Sequence, residues 1–126
     1  MNASLLAGAC LILALTPNLA QANALTPMGN WSRGDGKAKV RIEPCGKDIC
    51  AINTWIKAGN RDEKVGDTLV MTVTQADTTW AGKAYDPQRK LTYRLTMVVG
   101  EKTMTTRGCV LGGLICKGTN WTRIEP

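Results

Sequence analysis

The chain has no histidine and no phenylalanine, and only two tyrosines in 126 residues. Without histidine there is no imidazole base, no imidazole metal ligand, and no Ser-His or Cys-His nucleophile arrangement. No glycine-rich loop opens a helix, which excludes a phosphate cradle of that kind. An enzyme would have to work with carboxylates, tyrosine or lysine, for instance Asp67, Lys83, Tyr85 and Asp86. Asp86 stands before Pro87 and reads as a turn residue. The expectation is a non-enzymatic protein with neither metal nor cofactor. Its core must be assembled from Leu, Ile, Val, Met and four tryptophans.

Long apolar runs are also missing. The one from Leu5 to Leu15 falls short of the ~18 residues a spanning helix needs. It is followed by Pro17 and by Ala20-Gln21-Ala22, a small-x-small cleavage pattern. Residues 1–22 are therefore expected to be a signal peptide, with a single mature domain over 23–126 in the periplasm or outside the cell. No spanning segment is expected after processing. Cys10 lies inside the apolar run with Ala7 three residues before it, which does not match a lipidation signal. All 16 Lys and Arg and all 10 Asp and Glu fall after residue 22, so the net charge of +6 belongs to the mature domain. Its length suits one small core or one small cavity.

Four cysteines remain, Cys45, Cys50, Cys109 and Cys116, an even count that reads as a disulfide framework with three possible connectivities. Chain entropy favours long bridges, about 4 kcal/mol for a loop of roughly sixty residues against about 2 to 2.5 for a short one. Proximity favours the local pairs Cys45 with Cys50 and Cys109 with Cys116, because Gly46-Lys47-Asp48-Ile49 turns between two strand-like runs. A zinc site lacks its C-x-x-C knuckle.

What is abundant is alternation. Val40 and Ile42 alternate with Lys39, Arg41 and Glu43, the pattern of a half-buried strand. Ile52, Thr54 and Ile56 alternate with Ala51, Asn53 and Trp55. Leu69, Met71 and Val73 share one face of the next run, and Leu91, Tyr93, Leu95, Met97 and Val99 share one face of the longest. Turns with glycine, proline or aspartate separate about eight such segments, and no amphipathic helix interrupts them. The fold class is therefore all-β, a small antiparallel up-and-down β-barrel of about eight strands. Lys57 to Asp67 is the only long polar stretch and reads as a surface loop, a lid or rim.

A four-residue echo frames the domain: Asn30-Trp31-Ser32-Arg33 near its start and Asn120-Trp121-Thr122-Arg123 near its end. In an up-and-down barrel the first and last strands are neighbours, and residues two apart share a face. Trp31 with Arg33 and Trp121 with Arg123 are thus expected to close the barrel, guanidinium against indole.

A barrel of this size is either filled by side chains or holds one small ligand. The expected ligand is small and apolar or amphipathic, lined by Leu69, Met71, Tyr93, Leu95 and Met97. The alternative is a binding module whose basic surface contacts anionic polymers or lipid headgroups of the cell envelope. Lys37, Lys39 and Arg41 would form one patch, and Arg89, Lys90 and Arg94 another. Nucleic acid is not an expected partner of an exported protein.

Gly29-x-Trp31, the Cys45 to Cys50 turn, Gly82-x-x-Tyr85-Asp86-Pro87, Tyr93, Arg107-Gly108-Cys109 and Trp121-x-Arg123 stand in an order and spacing that resembles the bacterial family called domain of unknown function 2147. The resemblance covers nearly all of Gly29 to Arg123. It implies a secreted, lipocalin-like or fatty-acid-binding-protein-like barrel with no assigned activity. The family's loop carries an Asn-Pro-Asp type segment where this chain has Asn60-Arg61-Asp62, without the proline. Gly29-x-Trp31 with a late arginine also resembles the lipocalin closure signature, which is structural.

Overall fold

The computed structural model describes residues 8–13 and 25–124. The expected signal peptide lies outside the described residues except for 8–13, which form no helix or strand and include the exposed free thiol of Cys10. Among the described residues no helix is long and apolar enough to cross a membrane.

Eight strands follow one another: β1 (Gly29–Arg33), β2 (Ala38–Cys45), β3 (Asp48–Ile56), β4 (Thr68–Ala76), β5 (Thr79–Asp86), β6 (Leu91–Val99), β7 (Thr103–Val110) and β8 (Ile115–Ile124). A 3-10 turn at Leu111–Gly113 separates the last two. Each strand pairs antiparallel with the next and β8 pairs with β1, so the sheet closes into an up-and-down barrel. The up-and-down barrel is the one the alternation predicts, and its lipocalin-like form is the one the family resemblance implies. Four connections, β1–β2, β3–β4, β5–β6 and β7–β8, gather at one end; the N-terminal lead-in and the other three turns gather at the opposite end.

Alternation sorts the side chains as the period of two requires. Ala38, Val40 and Ile42 are buried while Lys39 and Arg41 are exposed. Leu95, Met97, Val99, Met71 and Met104 join Trp31 in one apolar cluster, with Leu69, Val73, Trp80 and Tyr93 partly buried against it. The inward row of β6 is shorter than its sequence suggests: Leu91 is 45% exposed, because the strand emerges at the rim there. The alternation of β3 is also broken. A bulge pairs Lys39 with Trp55 but Val40 with Asn53, leaving Thr54 unopposed. The extra residue reverses the faces that follow it. Ala51 and Asn53 therefore line the interior, while Trp55 is exposed, with the Lys39 ammonium 5.4 Å over its ring.

Gly82 is required by a close approach of β4 to β5. A Cβ there would lie 2.0 Å from the Thr72 carbonyl oxygen, and no side chain fits. Both disulfides are local, Cys45 to Cys50 at the β2–β3 turn and Cys109 to Cys116 below the β7–β8 tip.

The seam is the echo of the two Asn-Trp segments. Trp31 pairs with Arg123 and Arg33 with Trp121. Trp31 is fully buried and its indole N–H donates to the Pro27 carbonyl at 2.8 Å. The Arg123 guanidinium lies 4.2 Å from the ring centroid of Trp31 and donates to the carbonyls of Met28, Thr26 and Glu101. Gly29 has φ +121°, and a Cβ there would sit 3.1 Å from Arg123 Nη1. Glycine allows both that backbone conformation and the close approach of the guanidinium. This end of the barrel is shut.

Candidate functional site

The opposite end is hollow. An inner chamber of about 210 Å³ has an apolar floor of Val40, Ile42, Met71, Leu95, Met97, Met104 and the Trp121 ring. An outer chamber of about 530 Å³ lies beyond it, lined by Ala84, Tyr93, Gly108, Thr119 and the polar side chains of the rim. Arg33, Glu63, Leu69, Asp86, Arg89, Leu95 and Thr106 border both, so the two chambers meet at a ring of mixed character. Inside that ring the surface is mostly hydrocarbon and thioether; at and outside it, charged and polar groups share the wall about equally with apolar ones.

The ring is built by pattern and by turn chemistry. Arg33 faces inward because it stands two residues after the inward Trp31 on the same strand. Glu63 comes from the loop over residues 57–67, which crosses this end of the barrel. Arg33 binds it with both terminal nitrogens, Nη1 to Oε1 at 2.6 Å and Nη2 to Oε2 at 2.9 Å. Arg33 Nε donates to Asp35. Such a bidentate, charge-assisted pair is stronger than a neutral hydrogen bond and fixes the planes of both groups.

The loop is pinned at further points. The Asn60 side-chain oxygen accepts from the backbone N–H groups of Asp62 and Glu63, and its amide donates to Glu63 Oε2 at 2.7 Å. Asn53 donates from its side chain to the Lys64 carbonyl, and its backbone N–H donates to Asp67. Across the opening, Arg89 donates to Asp86 Oδ2 at 2.9 Å and to the Asp62 carbonyl. Asp86 accepts from the backbone N–H groups of Gln88 and Arg89 through Oδ1, the turn role expected before Pro87. The loop is therefore a lid strapped down by Arg33 from one side and Arg89 from the other.

These contacts set the charges. The Arg33 hydrogen bonds hold the Glu63 carboxyl below the usual carboxylate range against the opposing effect of burial. Burial pushes Asp35 up, but hydrogen bonds from the Arg33 side chain and the Lys37 backbone N–H outweigh it and leave it lowered. Both arginines are raised, Arg33 mainly by the Glu63 hydrogen bond and Arg89 by that of Asp86. The ring thus contains two ion pairs, Arg33 with Glu63 and Arg89 with Asp86, and Lys117 stands at the outer wall.

Of the residues expected to line a ligand, Met71 and Met97 face the inner chamber, Tyr93 faces the outer one, and Leu69 and Leu95 border both. Two of the four seam residues also reach the cavity. Trp31 and Arg123 stack, but Arg33 turns from Trp121 to Glu63, and Trp121 lines the inner chamber with its indole N–H on Thr106 Oγ1 at 3.0 Å. Only one guanidinium-indole stack forms at the seam, because a carboxylate in the lid competes for the second arginine. Glu63, Arg89, Thr106 and Lys117 carry no motif in the sequence. The polarity of the lid and the position of Arg33 two residues from an inward tryptophan are the available signals.

Each basic row is partly engaged within the chain. Arg41 is paired with Glu43, and Lys39 covers Trp55. Arg89 is paired with Asp86.

No curated protein and no solved structure matches the chain. A family model described as "Uncharacterized protein conserved in bacteria (DUF2147)" matches residues 29–123, from the first residue of β1 to the arginine that stacks on Trp31. That match spans every strand but for the last residue of β8, both disulfides and the lid, and the chain belongs to this bacterial family of unknown function.

Proposed function

We propose that the protein is an exported, non-enzymatic binding protein that holds one small amphipathic molecule at the open end of its barrel. The observation that carries the reading is the pair of joined chambers, apolar inside and charged at the ring. An apolar cavity of about 150 Å³ is enough to hold a benzene ring, so the inner chamber at about 210 Å³ suits a ring or a short alkyl group. The polar end of such a ligand would lie in the outer chamber, among Arg33, Arg89 and Lys117. Periplasmic or extracellular placement is supported by the N-terminal pattern and by two disulfides, which persist in oxidising compartments.

Native mass spectrometry of protein recovered from the periplasm, followed by solvent extraction, tests this. The expected result is a bound mass lost on extraction, and a thermal shift with short-chain amphiphiles. The variant Ala51→Phe, which projects a ring into the inner chamber, should abolish that shift. Apo mass alone, with no shift from any amphiphile, would overturn the reading.

A further inference from the structure

The β7–β8 tip stands apart from the cavity. Leu111, Leu114 and Ile115 are 69%, 86% and 58% exposed, three aliphatic side chains within five residues. Exposed apolar residues scattered singly need no explanation, but a contiguous group at one projecting turn marks an interaction site. The tip is held in place. Cys109 and Cys116 are joined directly beneath it. Leu111 has φ +53°, a left-handed conformation more often left to glycine or asparagine, and it displays a leucine to solvent there.

The surroundings are cationic. From Leu91 to Ile124 the only acidic residue is Glu101, which lies in the β6–β7 turn at the far end of the barrel. Arg94, Arg107 and Lys117 are on the same three strands. Arg94 brings its guanidinium alongside the tip, 3.7 Å from where a Cβ of Gly113 would be, and Lys83 stands opposite Arg94 on β5. Arg94, Lys83 and Lys117 form no ion pair among the described residues.

We propose that this tip docks the protein on an anionic lipid surface, its aliphatic side chains entering the headgroup and acyl boundary while Arg94, Lys83 and Lys117 meet the headgroups. Aliphatic residues flanked by the unpaired cations Arg94 and Lys83 match such a surface, while the carboxylates that share the rim with Lys117, Asp35 and Glu63, are engaged by Arg33. Protein interfaces, by contrast, concentrate binding energy in aromatic and arginine anchors set in pockets, and the tip has no aromatic residue. Because Lys117 and Gly108 also line the outer chamber, docking turns the open end of the barrel toward the lipid. The proposal does not rest on the cavity holding a ligand.

Co-sedimentation of the purified protein with vesicles decides it. Vesicles of phosphatidylglycerol and phosphatidylethanolamine should retain the protein about tenfold better than vesicles of phosphatidylcholine. The triple variant Leu111→Ser, Leu114→Ser, Ile115→Ser should lose about tenfold on the anionic vesicles at an unchanged thermal midpoint. Arg94→Gln with Lys117→Gln should lose a similar factor and flatten the salt dependence. If the triple variant fails to fold, Leu114→Ser alone, at the most exposed of the three positions, should still lose about threefold. Absence of wild-type binding to anionic vesicles would overturn the proposal and leave a protein partner as the tip's occupant. Retention by phosphatidylcholine as strong as by the anionic mixture, or unchanged binding by the serine variants, would overturn it equally.

Discussion

The two ends of the barrel use the same pair of residues at the same seam and reach opposite results. Where the chain enters β1, Arg123 lies on the Trp31 ring and donates to three backbone carbonyls, and the lead-in from Thr26 to Met28 closes over both. At the other end Arg33 faces Trp121 across the seam, yet gives its fork to Glu63 and leaves the indole as a wall of the cavity. The difference lies in what each arginine is offered. Neutral carbonyls let the guanidinium stay against an aromatic face. A carboxylate draws it away, because a charge-assisted bidentate pair outweighs a stack. One end is therefore shut by a stacked guanidinium and the backbone carbonyls it binds, and the other by a lid that one ion pair and a few hydrogen bonds hold in place.

That comparison is most exposed to failure at Trp31. Trp31→Ala removes the largest fully buried side chain and the surface on which Arg123 lies. The expected loss is about 3 to 5 kcal/mol, a large part of the stability of a domain this size. It would be read as a fall in the denaturation midpoint. A loss below about 1 kcal/mol would mean that the shut end does not hold the barrel.

Next in size is the contrast between the two arginines. Arg123→Met leaves the carbonyls of Met28, Thr26 and Glu101 without this donor and should cost about 2 to 3 kcal/mol. Arg33→Met frees Glu63 and Asp35 to regain water at an open rim and should cost about 1 kcal/mol. Equal losses, compared by chemical denaturation, would break the distinction between the ends.

The smallest effect on stability is expected from Glu63→Gln, and it should appear in the lid. The backbone N–H groups of Asn53 and Gly66, which hold the lid to β3, should exchange with deuterium about tenfold faster while the thermal midpoint moves by only a few degrees. The same pair predicts a pH dependence. Glu63 and Asp35 are lowered in the folded state from ordinary values of 4.5 and 3.8. Their contribution is fully present above those values and is lost as pH falls through the lower folded ones. Lid exchange in the wild type should therefore approach that of Glu63→Gln as pH falls below 4.5 and through the lower folded value of Glu63. A lid that stays protected in acid would show that Arg33 and Glu63 are not its latch.

Much of this architecture was legible in the residues. Alternation in β2, β4 and β6, glycine and proline at the turns, and the paired Asn-Trp segments were sufficient for the class of fold, the strand order and the closing pair. They were sufficient because a period of two assigns each residue a face without reference to anything distant. Local cysteine spacing served for the disulfides, since a turn already brings its ends together. The reading failed where a nonlocal partner intervenes. The bulge opposite Val40 put Asn53 and Trp55, expected on one face, on opposite faces, and no pattern within β3 announces it. The rim exposed Leu91, and the turn after β5 drew Arg89 inward to Asp86.

By itself, then, the sequence determined that this is a closed antiparallel barrel with an apolar interior and a tryptophan-arginine seam, and it favoured two local disulfides without excluding the other pairings. Those properties follow from side-chain period and short-range turn chemistry. Only the tertiary structure decided that one end is hollow, that Arg33 belongs to a cavity, and that Glu63, Arg89 and Thr106 surround it. Each of those depends on which of several competing partners lies nearest in space. For a guanidinium, that choice among indole, carbonyl and carboxylate is made by three-dimensional proximity and charge.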